Sequence, residues 1–584
     1  MTKLTAFILI ALLLALPAAT TGFALDGVPF PGPAISQTIV KMSDDQCVIG
    51  NNTLTATFQR HGSTLRLAAL RSPLNGLGLA WSDPNLFTIY LTGTTNPLTS
   101  SAMKLAGAPE EVVLVGTPRA AKLSQRLSGR GLQATFTDEA SGLAVQWNAS
   151  MTDGANYLRQ EIKLHATHGP VNVDRIEMIH AQLPGAKSTG YTDGSPITTE
   201  RIFLGLEHPM ARNEARDAKV VCALPRQCAL ETGAVWTVSS GIGVYPAGQL
   251  RRAFLCYLER ERAHPYRQYW HYNSWYDLNI GRNDNPDPLQ RMTEAQCLAV
   301  IGAFGTELHD KRGVGLNGFV WDDGWDDWNS LWGFHKGFPN GFAMLKEQAA
   351  KQGAGMGAWL SPYWIFFADS IWRQGDDCSF RGKGSPREQW INYKDSIVYD
   401  RFASKSPLFP VNSLMYHGVL LGPTAGPGTM APPAQDPDGL QHEMRMAAGY
   451  ASGLGELYIT PALMTPEAWD GLAECIRWAR TKQAVMVDSH WVGGDPGKNE
   501  IYGFAAWHPQ LGGVLTLRNP DDKPQTCMIQ LATAFELPVA AETRYELRSP
   551  WKADAHQVPM KADANVPVQF TLKPFEVITL ETQP

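Results

Sequence analysis

The chain has 584 residues, 44% of them hydrophobic and 18% charged, with a net charge of −6 whose two signs are mixed along its length. That length exceeds a single domain at about 100–200 residues each, and the lack of a basic patch argues against nucleic acid as a partner. The first element is a targeting segment. Met1-Thr2-Lys3 supplies one positive charge, Leu4 to Pro17 is almost unbroken apolar, and the small residues Ala18-Ala19-Thr20-Thr21-Gly22 follow before Phe23-Ala24. This order predicts a signal peptide over residues 1–24, cut near Ala19 or Ala24. The apolar run is shorter than the roughly 20 residues a spanning helix needs, so the expectation is a secreted or periplasmic chain with no membrane span.

Residues 25–263 read as many short strands. Thr53 to Phe58 and Leu132 to Phe136 alternate polar and apolar residues, and Gly, Pro, Asn and Asp punctuate the stretch. Such grammar predicts an N-terminal β-sandwich domain. Of the eight cysteines, Cys222 and Cys228 are the only close pair, one that an exported protein can bridge across a short loop. From His264 apolar runs alternate with helix-like segments, among them Thr293 to His309 and Phe342 to Gln352. Residues 264–492 therefore predict a parallel (β/α) barrel domain. Gly493 to Gly497 reads as a linker, and residues 493–584 return to strand grammar at Gly513 to Leu517 and Val568 to Leu572. A small C-terminal β-sandwich is expected there.

Barrel sites lie at the C-terminal ends of strands, so polar residues directly after apolar runs are the candidates. Gly318 to Trp321 runs into Asp322-Asp323-Gly324-Trp325. Adjacent carboxylates at a strand end accept hydrogen bonds from sugar hydroxyls, and a neighbouring indole offers a stacking wall; a loop salt-bridge cluster, or a calcium site using Asp326 and Asp327, are the alternatives. Tyr272-Asn273-Ser274-Trp275 closes an earlier strand, and Gly357 to Pro362 a later one. Next, Arg373 precedes Asp377 by four positions just beyond another apolar run. Glycosidases need a protonated carboxyl beside the leaving oxygen, although a surface Arg–Asp pair has the same spacing. No Gly-x-Ser-x-Gly elbow and no His-Glu-x-x-His is present, and Gly353 to Gly357 leads into a strand rather than out of one. No cofactor or metal is required by any motif.

Taken in order, Asn273-Ser274-Trp275, Asp322-Asp323-Gly324-Trp325, Phe338-Pro339-Asn340-Gly341 and Trp359-Leu360-Ser361-Pro362 resemble the α-galactosidase (melibiase-like) retaining glycoside hydrolases. That group includes α-N-acetylgalactosaminidases and raffinose-synthase-like proteins. The resemblance implies an N-terminal β-sandwich, a (β/α)8-type barrel and a C-terminal β-sandwich, acting on carbohydrate with terminal α-linked galactose or N-acetylgalactosamine. It implies that Trp275 lines the sugar pocket with Trp325, that Asp322 and Asp323 bind hydroxyls, and that Arg373 holds the sugar or the acid. Asp377 fits the general acid/base, with Asp376 one register away.

The pattern breaks at the nucleophile. The group carries it in a Lys-x-Asp motif on the fourth barrel strand, and no such motif stands there. Ser361 to Trp372 is too short for the crossover of about a dozen residues that parallel strands require. Either about two βα units are absent, nucleophile included, or Asp369 on Ile365-Phe366-Phe367 is a relocated nucleophile. The first expectation leaves a glycan-binding protein on an incomplete barrel as the rival to a hydrolase. His417 and Glu456 lie near later strand ends, where structural roles are expected ahead of substrate contact, and Gly422 to Pro437 reads as a loop over the barrel mouth.

Overall fold

The computed structural model describes residues 27–279, 287–290, 292–327, 330, 332–360, 382–422, 433 and 435–582. Strands fill residues 39–244, in two five-stranded sheets and one nine-stranded sheet. They alternate as the sequence predicts: Leu143–Thr152 buries every second residue, and the Trp147 ring meets Phe58 edge-on at 5.0 Å in the shared core. Cys222 and Cys228 lie on one strand, Lys219–Leu230, as free thiols. Six residues of strand hold them roughly 20 Å apart, far beyond disulfide reach, so no local bridge forms. Helix α1 (Leu250–Glu261) then ends this region, where the sequence had suggested strands alone.

Five parallel strands follow: β1 (Trp270–Asn273), β2 (Gly318–Trp321), β3 (Gly355–Ala358), β4 (Met415–Leu421) and β5 (Leu454–Ile459). They form one sheet in the order β3-β2-β1-β5-β4. This is the order around the closing seam of a (β/α) barrel, first strand beside last. Helices α2 (Glu294–Phe304), α3 (Ala343–Ala350), α4 (Pro386–Val398), α5 (Pro437–Tyr450) and α6 (Pro466–Thr481) connect or flank them. Three begin with a capping residue and a proline, Ser385-Pro386, Asp436-Pro437 and Thr465-Pro466, each cap side chain accepting a backbone N–H of the first turn. Tyr272 and Phe319 turn outward onto Phe304 of α2, and Trp321 packs on Tyr272, building the core between sheet and helices.

The expected strand end at Asn412 is instead a 3-10 turn, Val411–Ser413, and β4 begins after it. Among the described residues no strand pairs with the outer edge of β4. Side chains occupy it. The carbonyl of Gly418 accepts from Lys394 Nζ at 2.9 Å and that of Leu420 from Arg387 Nη1 at 2.7 Å, while the Leu420 N–H donates to Glu443 Oε1 at 3.1 Å. Arg387 and Lys394 both bind Glu443, and all three side chains are at most 1% exposed. An exposed strand edge would otherwise present unpaired backbone groups.

The third region starts earlier than predicted. His490–Gly493 pairs with Tyr502–His508, so Gly493 to Gly497 is a turn inside a six-stranded sheet rather than a linker. Its neighbours are bound tightly. Arg251 and Arg252 of α1 reach the Asp488 carboxylate at 2.8 and 3.1 Å. From α4, Glu388 binds Arg518 at 2.7 Å and Asp395 accepts from Tyr502.

Candidate active site

Strand alternation decides what faces the inner side of the parallel sheet. With Tyr272, Leu457 and Ile459 in the outer core, His271 and Asn273 of β1 and Glu456 and Tyr458 of β5 share the opposite face. His271 stands directly beside Glu456 in register, with Nε2 3.5 Å from Oε1. Asn273 Nδ2 donates to the same oxygen at 3.1 Å, and the Tyr458 hydroxyl to Oε2 at 2.5 Å. Burial would raise the Glu456 carboxyl, but His271 and the Tyr458 hydroxyl outweigh it and hold Glu456 below the ordinary range. Gly418 of β4 presses against the Glu456 carbonyl, where an added Cβ would stand 1.9 Å away, so only glycine fits.

At the strand ends the backbone turns to deliver polar groups. The Asn273 Oδ1 accepts the Trp275 N–H at 2.9 Å, and Ser274 Oγ accepts the Asp322 N–H at 2.8 Å. The ends of β1 and β2 are thus tied together. Asp277 then accepts from Tyr272 at 2.7 Å and from Thr460, beyond β5, at 2.8 Å. Asp322 is half-buried. Burial pushes its carboxyl up, the Asp323 N–H and the Asn273 amide pull it back, and the Glu456 charge adds to the rise. The result lies above the ordinary carboxylate range.

An aromatic group faces these carboxyls. Tyr276 meets Tyr458 at 5.1 Å, and His417 meets Trp390 of α4 at 4.9 Å and Tyr458 at 5.4 Å. Trp275, half-buried, packs on the same group. Glu456, Tyr276, Tyr458 and Trp390 are buried, so the half-buried Asp322 carboxyl and Trp275 ring are the members of this group placed to meet the hydroxyls and the C–H face of a polyhydroxylated ring.

No family model matches the sequence, and no curated protein does. Solved structures match it along nearly its whole length. The galactosidase domain of the α-galactosidase-sucrose kinase AgaSK superposes with a TM-score of 0.56 at 11% identity, covering 94% of this chain and all of that one. A variant of the GH36 α-galactosidase AgaA from Geobacillus stearothermophilus, in complex with 1-deoxygalactonojirimycin, gives 0.53 at 10% identity, with 94% and 100% covered. The α-galactosidase from Lactobacillus brevis gives 0.51 at 11%, with 94% and 98% covered.

The fold is that of the α-galactosidases.

Within this α-galactosidase fold, Trp275, Asp322 and Asp323 converge at the ends of β1 and β2. Trp325 does not join them. It is 5% exposed, its ring packs on Phe334 and Phe342, and its N–H is given to the Trp359 carbonyl at 3.2 Å. Trp359, directly after β3, is 42% exposed. The predicted Asp369, Arg373, Asp376 and Asp377 lie outside the described residues. Asp326 and Asp327 follow Trp325 into a turn where the Asp327 N–H donates to Gly333. Among the described residues no group of three or more His, Cys, Asp or Glu is placed to hold a metal ion. His271, Tyr276, Tyr458 and Trp390 were not singled out from sequence. The His271/Asn273 and Glu456/Tyr458 spacing of two, polar residues inside otherwise apolar strands, is the signal that could have found them.

Proposed function

We propose that this chain is an exported α-glycosidase-type protein that takes a terminal α-galactosyl or α-N-acetylgalactosaminyl residue of a glycan into the ends of β1 and β2 and hydrolyses it with retention. The observation that carries the reading is the joining of adjacent strand ends, where Ser274 accepts the Asp322 N–H beside the Asn273–Glu456 pair, in a fold shared with α-galactosidases. Asp322 and Asp323 receive sugar hydroxyls, and Trp275 flanks the ring. Asp369 attacks the anomeric carbon as Asp377 protonates the leaving oxygen, and Asp377 then activates the water that displaces Asp369; Arg373 holds Asp377 or the sugar, and Asp376 takes the place of Asp377 if the register differs by one. Carriage through a membrane by the 1–24 segment belongs to the same proposal; among the described residues no helix is long and apolar enough to cross a bilayer.

One observation favours a second reading, a glycan-binding protein without turnover. The edge of β4, where a preceding barrel strand would pair, is sealed by Arg387, Lys394 and Glu443. The interval from Ala358 to Met415 must also hold α4. Three further βα units at roughly 30 residues for each βαβ are hard to place in it, and the nucleophile strand is the one affected. The two readings part on nitrophenol release from α-galactoside and α-N-acetylgalactosaminide reporters. Hydrolysis predicts release that Asp377→Asn abolishes. Sugar-dependent thermal stabilisation without release would select the binding reading, and release unchanged in Asp377→Asn would remove Asp377 from the mechanism.

A further inference from the structure

A second cavity, of about 610 Å³ and lined by none of Asn273, Trp275, Asp322, Asp323 and Glu456, lies where the N-terminal sheets, α1 and residues 401–409 meet. Its size falls in the ~300–1,000 Å³ range of small-molecule sites, which favour domain junctions. One wall is aromatic: the buried rings of Phe203 and Phe254 of α1, 5.2 Å apart, back the half-buried Phe409 at 5.5 Å from Phe254, and half-buried Phe402 lines the cavity beside it. The other wall is an ionic network. Glu207 accepts from Tyr257 at 2.8 Å, from Arg159 Nε at 2.8 Å and from Ser239 at 2.6 Å. Glu261 accepts from Tyr157 at 2.6 Å and Lys122 at 3.0 Å, with Arg159 3.4 Å away.

The charges in this wall compensate one another. Burial works against the Arg159 cation, and Glu207, Glu261 and Glu161 outweigh it; burial works against the Glu261 anion, and Arg159 and Lys122 outweigh that. A charged ligand would have to break these pairs, at the cost of leaving a partly buried ion without its counterion. A neutral ligand need not. A carboxylate has about four acceptor sites and an ammonium three donors, so Glu207, Glu261 and Lys122 retain capacity for hydroxyl groups while the half-buried Phe402 and Phe409 take an apolar face. Hydroxyls on one side and C–H on the other describe a sugar.

We propose that this cavity is a second carbohydrate-binding site, separate from the strand ends of the parallel sheet, that takes a neutral disaccharide-sized segment of glycan. It holds substrate chains by an internal portion while the strand ends address the terminus. The inference stands apart from hydrolysis and needs only that the cavity be open to glycan.

Calorimetric titration of the full exported chain with melibiose, maltose and cellobiose tests it, using Asp322→Asn to silence the strand-end site. The expected result is one saturable site for at least one disaccharide in Asp322→Asn. Adding Thr192→Trp, an exposed rim position whose replacement leaves the core untouched, abolishes it. Adding Glu207→Gln weakens it roughly tenfold, the loss of one charge-assisted hydrogen bond. No saturable binding of any of the three in Asp322→Asn, or binding that Thr192→Trp leaves unchanged, overturns the proposal. Failure of the strand-end reading shows separately, as nitrophenol release or total stoichiometry that Asp322→Asn does not alter.

Discussion

Replacing Glu443 by Gln keeps the shape of the side chain and removes the charge that seals β4. Glu443 is fully buried and receives Arg387 at 2.5 Å, Lys394 at 2.9 Å and the Leu420 N–H at 3.1 Å. Burial alone lowers the tendency of Lys394 to hold its proton, and the Glu443 charge opposes that. Taking one partner from a buried ion cluster costs about 3–5 kcal/mol. At ~2–4 °C per kcal/mol for a unit of this size, the first melting transition falls by roughly 6–20 °C. Amide exchange localises the loss: Leu420 exchanges faster, while Ile242 in the N-terminal sheets does not. Adding Lys394→Met recovers part of the loss, because the second change removes a cation the first stripped of its carboxylate. A Glu443→Gln chain that melts within about 2 °C of wild type, well under one such bond, would refute the account of how the sheet ends.

Three further outcomes are expected. Asp322→Asn keeps the fold and melts higher than wild type at neutral pH, because a carboxyl whose folded pKa is raised contributes stability below its unfolded value and loses it as pH rises through the folded one; melts at acid and neutral pH check the sign. Asp488 behaves oppositely. Burial would raise it, Arg251 and Arg252 hold it well below the ordinary range, so its contribution is present above about pH 4 and is lost on acidification. Asp488→Asn should lower the melting point at pH 7 by an amount that shrinks toward pH 2. Finally, Cys222 and Cys228 appear as separate thiols in a non-reducing peptide map, and an alkylating reagent labels exposed Cys228 before buried Cys222.

The sequence made the strand ends legible because apolar runs there stop abruptly at polar residues: Gly318–Trp321 before Asp322, and Leu454–Ile459 before Thr460. It misplaced β4 because Pro407 to Val411 is the more apolar run, although its prolines cannot donate to a ladder. It passed over α1, whose charged pattern gave little reason to expect a buried Arg252. Trp325 shows the limit of reading by neighbourhood: two positions from Asp323, it turns into the core, while Trp359, just past the next strand, is exposed. The sealing of β4 could not be seen at all. Arg387, Trp390 and Lys394 share one helix face by spacing, but nothing local says that this face meets a strand edge instead of water.

On the proposed function, Asp322, at the end of β2, holds a galactose-type ring. Titration of D-galactose and D-glucose, which differ only at O4, into Thr192→Trp tests it with the second cavity blocked. The account predicts that galactose binds, that glucose binds more weakly, and that adding Asp322→Asn abolishes galactose binding while the chain still melts cooperatively. Equal binding of the two sugars, or galactose binding that survives Asp322→Asn, would contradict it.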